Sequence, residues 1–298
     1  MTDNRVPKTL ILEQGTMLRS FASLIGREIL SFTLPAENPS EFEVISSPIS
    51  LPSERLINHY VQWSGASADR YRAKIPPHLF FHLAMPMCIQ QLKQSRYPLG
   101  RIINQGCGMV VNHPIPYQSE INAEITIQRL RETAGRVRII QHVAISTAEI
   151  EHAIELEIQT LLPLGPEAGR RPMRKEDPRI FQPLGQWTAI DSDGSNFALL
   201  TGDFNPIHWS DIAGKFSPFG SKVLHGFGTF VRTYELLQTA LNRSVHHIDV
   251  RFTAPLKLPG GQNTLLHSEQ TGSGSSSIPF KLQDQHDKML MIGSYSCE

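Results

Sequence analysis

Two parts of the chain alternate apolar and polar residues in the way that half-buried antiparallel strands do. The first part holds "EINAEITIQRL", "RVRIIQHVAIST" and "AIELEIQTLLP" between residues 120 and 163. The second holds "VHHIDVRFTAP" and "NTLLHSEQT" between residues 245 and 271. Because successive side chains of a strand point to opposite faces, this alternation predicts two sets of strands, each with one buried face.

An apolar segment of helical length precedes each set of strands. These segments are "HLFFHLAMPMCIQQLKQ", residues 78–94, and "HGFGTFVRTYELLQTAL", residues 225–241. Before the first of them stands "ERLINHYVQWSG", residues 54–65, and before the second a helical start is predicted near Phe197. The order of a helix followed by long antiparallel strands therefore occurs twice, which predicts an α+β fold built by tandem duplication.

A stretch rich in proline, glycine and charge separates the two copies. Residues 164–185 show no apolar periodicity, so we interpret them as a linker between a domain at residues 1–163 and a domain at residues 186–298. The basic run at residues 170–175 is interpreted as a solvated part of this linker, with a contact to a ligand phosphate as the alternative.

The two copies can be compared by placing "YVQWSGASADRY" over "FALLTGDFNPIH", so that Gly65 falls on Gly202. The polar positions of the second copy have no counterpart in the first: Ala66 stands for Asp203, Ala68 for Asn205 and Tyr71 for His208. On this alignment the first copy has lost its chemistry, and the small side chains of Ala66 and Ala68 suggest room there for a long acyl chain.

The segment "TGDFNPIH" of the second copy has the residues of a rigid turn that carries acid/base groups. Gly202 accepts positive φ and Pro206 has a fixed φ, so Asp203 and His208 are predicted to reach one water molecule from the two sides of the turn. Gly226, downstream, begins the apolar helix, whose free N–H groups suit a developing oxyanion. The alternative is that Asp203 caps the turn and His208 is a packed imidazole.

Together these residues resemble the signature of the MaoC-like dehydratases, which include the R-specific enoyl-CoA hydratases of type 2. The matching positions are Phe197, Thr201, Gly202, Asp203, Asn205, Pro206, Ile207, His208, His225 and Gly226. The resemblance implies a tandem (double) hot-dog fold, in which each antiparallel sheet wraps around a long central helix. It also implies one catalytic copy, the second, and one degenerate copy.

The same resemblance implies the roles of the site residues in a hydro-lyase. Asp203 and His208 would activate the water that adds to a trans-2-enoyl thioester, or expel it from the (R)-3-hydroxyacyl thioester. Asn205 would orient this pair or the turn, and the N–H of Gly226 would hold the thioester oxygen. The family often has an aspartate where Ser210 stands here, and we expect Ser210 or Asp211 to cap the next helix.

Four neighbouring residues are candidate substrate contacts: His225, Phe227, Trp209 and Lys222. Lys222 would contact a phosphate of the carrier, although an ordinary surface charge is the alternative. The sequence leaves open whether the carrier is coenzyme A or acyl carrier protein, and whether two chains form a homodimer. We expect no cofactor and no metal; His246 and His247 are adjacent on a strand and therefore point to opposite faces.

Composition limits the other classes of function. The 28 Lys and Arg residues balance 28 Asp and Glu residues, so no overall field favours nucleic acid. The chain has 3 cysteines without zinc-site spacing and no apolar run long enough for a signal peptide or a membrane span, and we expect a cytoplasmic protein.

Two other functions remain open from the sequence. A hot-dog thioesterase would hydrolyse the same class of substrate, and a non-catalytic module would only bind the acyl thioester. The first would generally lack Gly-Asp-x-Asn-Pro-x-His, and the second would have a spoiled motif.

Overall fold

Along the described residues, one strand, a group of helices and four further strands follow one another twice. The computed structural model describes residues 6–29, 35, 37–133, 135–165, 178–268 and 277–297. The described strands are β1 (Ile45–Pro48), β2 (Ile103–Val111), β3 (Ile121–Thr133), β4 (Arg136–Thr147), β5 (Ile154–Pro163), β6 (Gln182–Ala189), β7 (Val245–Phe252), β8 (Gly261–His267), β9 (Ile278–Gln283) and β10 (Met289–Cys297). The described α-helices are α1 (Gly15–Ile29), α2 (Glu54–Ser64), α3 (Phe80–Leu83), α4 (Met85–Leu92), α5 (Asp193–Thr201), α6 (Asp211–Phe216) and α7 (Gly226–Leu241). None of these helices is both long and apolar enough to cross a membrane.

The ten strands form one antiparallel sheet in the order β1-β3-β4-β5-β2-β7-β10-β9-β8-β6. The strand segments predicted at residues 120–163 and 245–271 are confirmed as β3, β4, β5, β7 and most of β8. Counted from each outer edge, the two halves have the same order of strands: first, third, fourth, fifth and second. The two halves contribute to one continuous sheet, because β2 of the first half pairs directly with β7 of the second.

Glycine allows the two halves to meet closely at this β2–β7 seam. Gly106 lies opposite Arg251 in the antiparallel register. A Cβ at Gly106 would lie 2.2 Å from the carbonyl oxygen of Val250, a distance at which the strands would have to separate. A residue without a side chain is therefore required at this point of the joint.

Of the two predicted long helices, one is continuous in the structure and the other is divided. The helix predicted at residues 225–241 is confirmed as α7. The helix predicted at residues 78–94 is divided into the 3₁₀ turn Pro77–Leu79, α3 and α4, with a break at Ala84. Pro86 explains the break, because proline has no N–H to donate to the preceding turn and its ring crowds that turn.

The predicted linker at residues 164–185 is described only at its ends. Strand β6 begins at Gln182, inside this range, and pairs with β8. Residues 166–177, with the basic run at 170–175, lie outside the described residues. The division into domains at 1–163 and 186–298 therefore stays a prediction.

Helix α1 was not predicted from the sequence, and it covers part of the first half. Met17 and Leu24 on its inner face are buried in a cluster with Ile89 and Leu92 of α4. At its start, Gln14 donates a hydrogen bond to the carbonyl oxygen of Leu199, 3.2 Å away, near the end of α5. Helix α1 therefore bridges the first half and the motif of the second.

A fully buried carboxylate also joins the halves. Glu235 of α7 accepts hydrogen bonds from His78 Nε2, 2.8 Å away, and from the hydroxyl of Tyr71. The other carboxylate oxygen of Glu235 lies 3.4 Å from Nε of Arg70. The hydroxyl oxygen of Tyr60 lies 3.0 Å from Nδ1 of His78. Both His78 and Glu235 are at most 1% exposed. Because burial makes an unpaired charge costly, this network constrains the way α7 packs on the first half.

Replacing Glu235 with alanine should destabilise the protein strongly. The substitution leaves the polar groups of Tyr71, His78 and Arg70 buried without their shared acceptor, and removal of one partner from such a pair costs about 3 to 5 kcal/mol. Chemical denaturation followed by circular dichroism measures the change in free energy of unfolding. Asp69→Ala is the matched control, because Asp69 pairs with Arg72 on the surface and should leave stability near that of the unmodified protein. Equal stability of the two variants would contradict the importance of this buried network.

Candidate active site

The motif turn is built by the residues that the sequence singled out. Helix α5 ends at Gly202, which has a φ of 79° in the left-handed region. Asn205 then caps the 3₁₀ turn Pro206–His208 through its side-chain oxygen, which accepts from the N–H of Ile207 at 3.3 Å. The N–H of Asn205 in turn donates to Asp203 Oδ1 at 3.2 Å. Asn205 therefore holds the turn and the Asp203 carboxylate in place.

The next helix is capped as expected. Ser210 accepts a hydrogen bond from the N–H of Ala213 at 3.3 Å and is the N-cap of α6. Its difference from the family pattern is therefore compatible with a structural role, because serine is among the favoured N-cap residues.

His208 is held in a defined tautomer by the main chain. Its Nδ1 lies 2.7 Å from the carbonyl oxygen of Val223. A carbonyl can only accept, so Nδ1 carries the hydrogen, and Nε2 of the neutral ring remains an acceptor. Burial lowers the pKa of His208 below its ordinary value of 6.5, although the Asp203 carboxylate and the bond to Val223 oppose this change. The ring is therefore predominantly neutral at pH 7 and can take a proton.

His225 packs directly behind His208. The two rings are stacked, with centroids 3.5 Å apart and an interplanar angle of 24°. His225 Nε2 donates to the backbone oxygen of Asp203 at 3.0 Å and lies 3.7 Å from Asp203 Oδ2. Burial, together with repulsion from His208, lowers the pKa of His225 well below 6.5. This second imidazole therefore supports the turn in its neutral form.

Asp203, His208 and His225 each offer one potential ligand atom, and these atoms lie within 4.8 Å of one another. The nearly parallel stacking of the two imidazoles fits a metal ion poorly, because nitrogen lone pairs lie in the ring planes and here run side by side. One nitrogen of each ring lies within hydrogen-bond distance of a backbone carbonyl, which leaves Nε2 of His208 and Nδ1 of His225 as acceptors.

The start of α7 faces the same turn. Gly226 is the first residue of the helix, and His225 before it provides no side-chain cap. The first N–H groups of a helix have no acceptor within the helix, so they are available to a ligand. A Cβ at Gly226 would lie 3.0 Å from the ring of Phe252. Glycine at this position therefore lets the ring of Phe252 pack against the start of α7, while no side chain caps the helix.

The remaining candidate contacts occupy different surroundings. Phe227 is buried, with its ring centroid 4.9 Å from that of Phe81. Trp209 is 45% exposed, and its Nε1 donates to the carbonyl oxygen of Phe204 at 3.1 Å. The structure therefore brings Asp203 together with His208, His225 and Gly226 but leaves Trp209 at the surface.

Lys222 is already neutralised by protein carboxylates. Its Nζ lies 2.9 Å from Asp191 Oδ1 and 2.9 Å from Asp211 Oδ1, and its side chain is only 6% exposed. These two pairs leave little positive charge for a ligand. A phosphate at Lys222 would have to compete with these two carboxylates, and the predicted contact stays a prediction.

Gly194 is a site residue that the sequence did not reveal. It lies in the first turn of α5, and a Cβ there would be 1.9 Å from the carbonyl oxygen of His208. Only glycine at position 194 therefore lets the start of α5 pack this closely against the backbone of His208. No local sequence signal indicates this requirement, because the two residues meet only through the tertiary fold.

A cavity of about 600 Å³ lies between α1 and the first half and reaches the end of α5, and its lining does not include Asp203, His208, His225 or Gly226. Its lining includes Leu200 and Thr201 at the end of α5, together with Leu79, His82 and Met87 of the first half. Helix α1 forms another wall. The lining of this cavity includes neither Ala66 nor Ala68, so the suggested space near them stays a prediction.

The first half contains a similar arrangement of rings without the reactive groups. Its α2 ends at Gly65, with a φ of 88°, as α5 ends at Gly202. The ring of Tyr60 lies 5.4 Å from that of His78, and the ring of Phe197 lies 5.0 Å from that of His225. Tyr71 and the buried network around Glu235 occupy the remaining space.

Comparison with known proteins finds a domain family in the second part of the chain. A family model described as the MaoC like domain matches residues 170–275. The 3-hydroxyacyl-thioester dehydratase X of Mycobacterium tuberculosis is 23% identical over 205 residues, which are 66% of this chain and 71% of that protein.

Solved structures show the same fold over most of the chain. HtdX of Mycobacterium tuberculosis has a TM-score of 0.69 at 16% identity, covering 86% of this chain and 100% of that one. Peroxisomal multifunctional enzyme type 2 of Drosophila melanogaster has a TM-score of 0.66 at 16% identity, covering 86% of this chain and 48% of that one. A Mycobacterium tuberculosis protein described as a double hotdog fold has a TM-score of 0.56 at 10% identity, covering 87% of this chain and 96% of that one. The residues matched by the MaoC like domain model include the motif turn and the start of α7.

Proposed function

We propose that this protein is a hydro-lyase that interconverts trans-2-enoyl thioesters and (R)-3-hydroxyacyl thioesters. The observation that carries this proposal is the position of Asp203 and His208. Each offers an atom within 4.8 Å of the other, beside the uncapped N-terminus of α7. The MaoC-like domain and the dehydratase relative support the same reaction class.

The pair would work on a single water molecule. Asp203 and His208 hold the water at carbon 3 of the enoyl group, and its O–H bond breaks as the oxygen bonds to that carbon. The proton passes to the pair, and the π electrons of the double bond move towards the thioester oxygen. A proton from the pair then forms the new C–H bond at carbon 2, which restores the pair. General acid/base catalysis of this kind contributes about 10²- to 10⁴-fold.

The start of α7 would stabilise the intermediate negative charge. As the enolate develops, the thioester oxygen becomes a stronger acceptor for the N–H of Gly226. A donor fixed in this way does not reorganise during the reaction, and one such group contributes about 3 kcal/mol to transition-state stabilisation. Asn205 acts as a positioning residue, because its side chain caps the turn.

The chain would form a tandem (double) hot-dog with one catalytic half. The repeated order of strands supports the duplication, as do the matching helix ends at Gly65 and Gly202. In the first half, Tyr71 stands at the position that aligns with His208. Its hydroxyl donates to the buried carboxylate of Glu235, so it would have a structural role. The first half would then serve the second by shaping its binding site.

The acyl chain would lie in the 600 Å³ cavity. Its lining reaches the motif at Leu200 and Thr201 and continues along α3 and α4 of the first half. The break at Ala84 matters here, because Leu83, Pro86 and Met87 around it line the cavity. Either coenzyme A or acyl carrier protein suits this arrangement as the carrier of the thioester.

Replacing Asp203 with asparagine, or His208 with asparagine, should reduce hydration of crotonyl-CoA by about 10²-fold or more, because each change removes a proton acceptor beside the water. The decrease in enoyl absorbance measures hydration, and a parallel assay for free thiol detects thioester hydrolysis. Asp211→Asn is the matched control, since Asp211 pairs with Lys222 away from the reacting groups. Near-normal hydration by both site variants, or thiol release without hydration, would contradict the proposed reaction.

The acidic limb of the pH profile of kcat/KM should have its midpoint below pH 6.5. Burial lowers the pKa of His208, so the folded protein keeps this ring neutral at pH values where the unfolded chain is protonated. Activity should therefore be retained as pH falls through 6.5 and lost as pH falls through the lower folded pKa. Initial rates at subsaturating crotonyl-CoA across this range measure the midpoint. A midpoint above 6.5 would be inconsistent with a buried neutral base.

Replacing Gly194 with alanine should lower kcat by about 10- to 100-fold, because the new Cβ would displace the backbone of His208 and misplacement by about 1 Å is sufficient for such a loss. Turnover of crotonyl-CoA at saturation measures this effect. Gly26→Ala is the matched control, since a Cβ at Gly26 meets nothing within 4 Å. Unchanged turnover in Gly194→Ala would show that the turn tolerates the shift.

A further inference from the structure

Arg232 of α7 lies in a buried polar contact between the two halves that has no part in the proposed reaction. Its guanidinium donates from Nη2 to Asp193 Oδ1 at 2.8 Å and from Nη1 to the carbonyl oxygen of Thr188 at 3.0 Å. The side chains of Arg232 and Asp193 are 15% and 1% exposed. Because the donors of an arginine lie in one rigid plane, two acceptors at once set the orientation of the group.

Two tryptophan rings pack against the same guanidinium. Its Cζ lies 4.5 Å from the ring centroid of Trp63, on α2 of the first half, and 5.3 Å from that of Trp187, on β6 of the second. Trp63 also donates from Nε1 to Asp193 Oδ1 at 3.2 Å. A cation over the face of an indole ring is attracted by the ring electrons. The charge of Arg232 is thereby held between residues of both halves.

The two charges of this contact depend on each other. Burial lowers the pKa of Arg232 and raises the pKa of Asp193, and in each case the opposite charge of the partner counteracts the change. Asp193 Oδ2 also accepts from the N–H of Ile190 at 2.8 Å. Removal of either charge would leave the other buried without its counter-charge. The contact therefore fixes the first residue of α5 against α7.

The start of α5 in turn sets the position of the motif turn. Asp193 is followed by Gly194, where a Cβ would lie 1.9 Å from the carbonyl oxygen of His208. The two backbones are therefore in contact with no side chain between them. A shift of Asp193 would move this contact, and with it the backbone of His208.

Trp63 reaches the motif turn by a second route, through aromatic rings. Its ring centroid lies 4.6 Å from that of Phe197, which lies 5.0 Å from that of His225. The ring of His225 stacks on His208 at 3.5 Å. A close-packed interior transmits displacements, because it contains little free volume. Both routes to His208 thus begin at Trp63, a residue of the half whose motif lacks the acid/base residues.

We propose that Arg232 and Trp63 are positioning residues for the motif turn, which fix Asp193 so that Gly194 supports the backbone of His208. The inference rests on the proposed function, since it assigns further residues to the same reaction. It gives the first half a part in the rate of the reaction, because Trp63 belongs to that half. Displacement of a reacting group by about 1 Å costs about 10²-fold in rate.

The first test compares turnover and binding in Arg232→Lys and Trp63→Phe. Lysine keeps the charge but cannot bridge Thr188 and Asp193 with one planar group, and phenylalanine keeps a ring but lacks the N–H donor. With crotonyl-CoA, each variant should lower kcat by about tenfold or more. KM should change by less than about twofold, because neither side chain is expected to touch the substrate.

Arg96→Lys is the matched control for a general effect of such a substitution. Arg96 also pairs with a carboxylate, at 2.9 Å from Glu132 Oε2, and its Cζ lies 5.5 Å from the ring centroid of Tyr97. This variant should keep the kcat of the unmodified protein. Circular dichroism checks that each variant is folded at the assay temperature, and either site variant alone decides the outcome if the other does not fold. Unchanged kcat in a folded site variant, or an equal loss in Arg96→Lys, would overturn the positioning role.

A titration of His208 separates this inference from the proposed reaction. Nuclear magnetic resonance of ¹³C-labelled histidine rings reports the pKa of His208 without requiring turnover, and His208→Asn identifies its signal. Burial is the largest cause of the lowered pKa, so a displaced and more hydrated turn should raise it towards 6.5 in Arg232→Lys and in Trp63→Phe. An unchanged titration in both variants would contradict the inference. Failure of the unmodified protein to hydrate crotonyl-CoA, with this shift intact, would instead refute the proposed reaction alone.

Discussion

The hydrogen bond from Nδ1 of His208 to the carbonyl oxygen of Val223 connects two segments that the site requires together. One is the turn after α5, which carries Asp203, and the other is the strand-like segment that enters α7. The bond fixes the tautomer of His208, so the remaining nitrogen faces outward as an acceptor. Stacking of His225 against the ring, at 3.5 Å, and its own bond to the backbone of Asp203 complete this arrangement. The geometry of the cluster therefore depends on main-chain carbonyls as much as on side chains.

The neutral state of these imidazoles has a common physical cause. Burial disfavours the charged form of His208, His225 and His82, and each has a lowered pKa. The consequences differ with position. His208 keeps an acceptor nitrogen near Asp203, His225 bonds to the backbone of Asp203, and His82 lies among aromatic rings with its Nε2 buried. Desolvation thus favours the neutral form of all three rings.

The first half contributes to the site even though its own motif lacks the acid/base residues. Its α2 and its Gly65 repeat the frame of α5 and Gly202, but Glu235 of α7 enters the corresponding space and accepts from Tyr71 and His78. The divided helix α3–α4 supplies a wall of the cavity. The first half therefore combines a buried polar network with part of the cavity lining.

The sequence alone determined the strands at residues 120–163, helix α7 and the turn around Gly202 and Pro206. Alternation, apolar periodicity and turn chemistry are local properties, and they are visible in neighbouring residues. It also indicated that Asp203 and His208 share a turn. It did not reveal the division of the helix at Ala84, although Pro86 was a local signal for it.

Only the tertiary structure decided which distant residues meet. The sheet is continuous because β2 pairs with β7, and Lys222 is neutralised by Asp191 and Asp211 from separate segments. The need for glycine at position 194 arises from the carbonyl of His208. The isolation of His82 likewise comes from aromatic side chains of both halves. Such features depend on packing between segments far apart along the chain, so no local pattern encodes them.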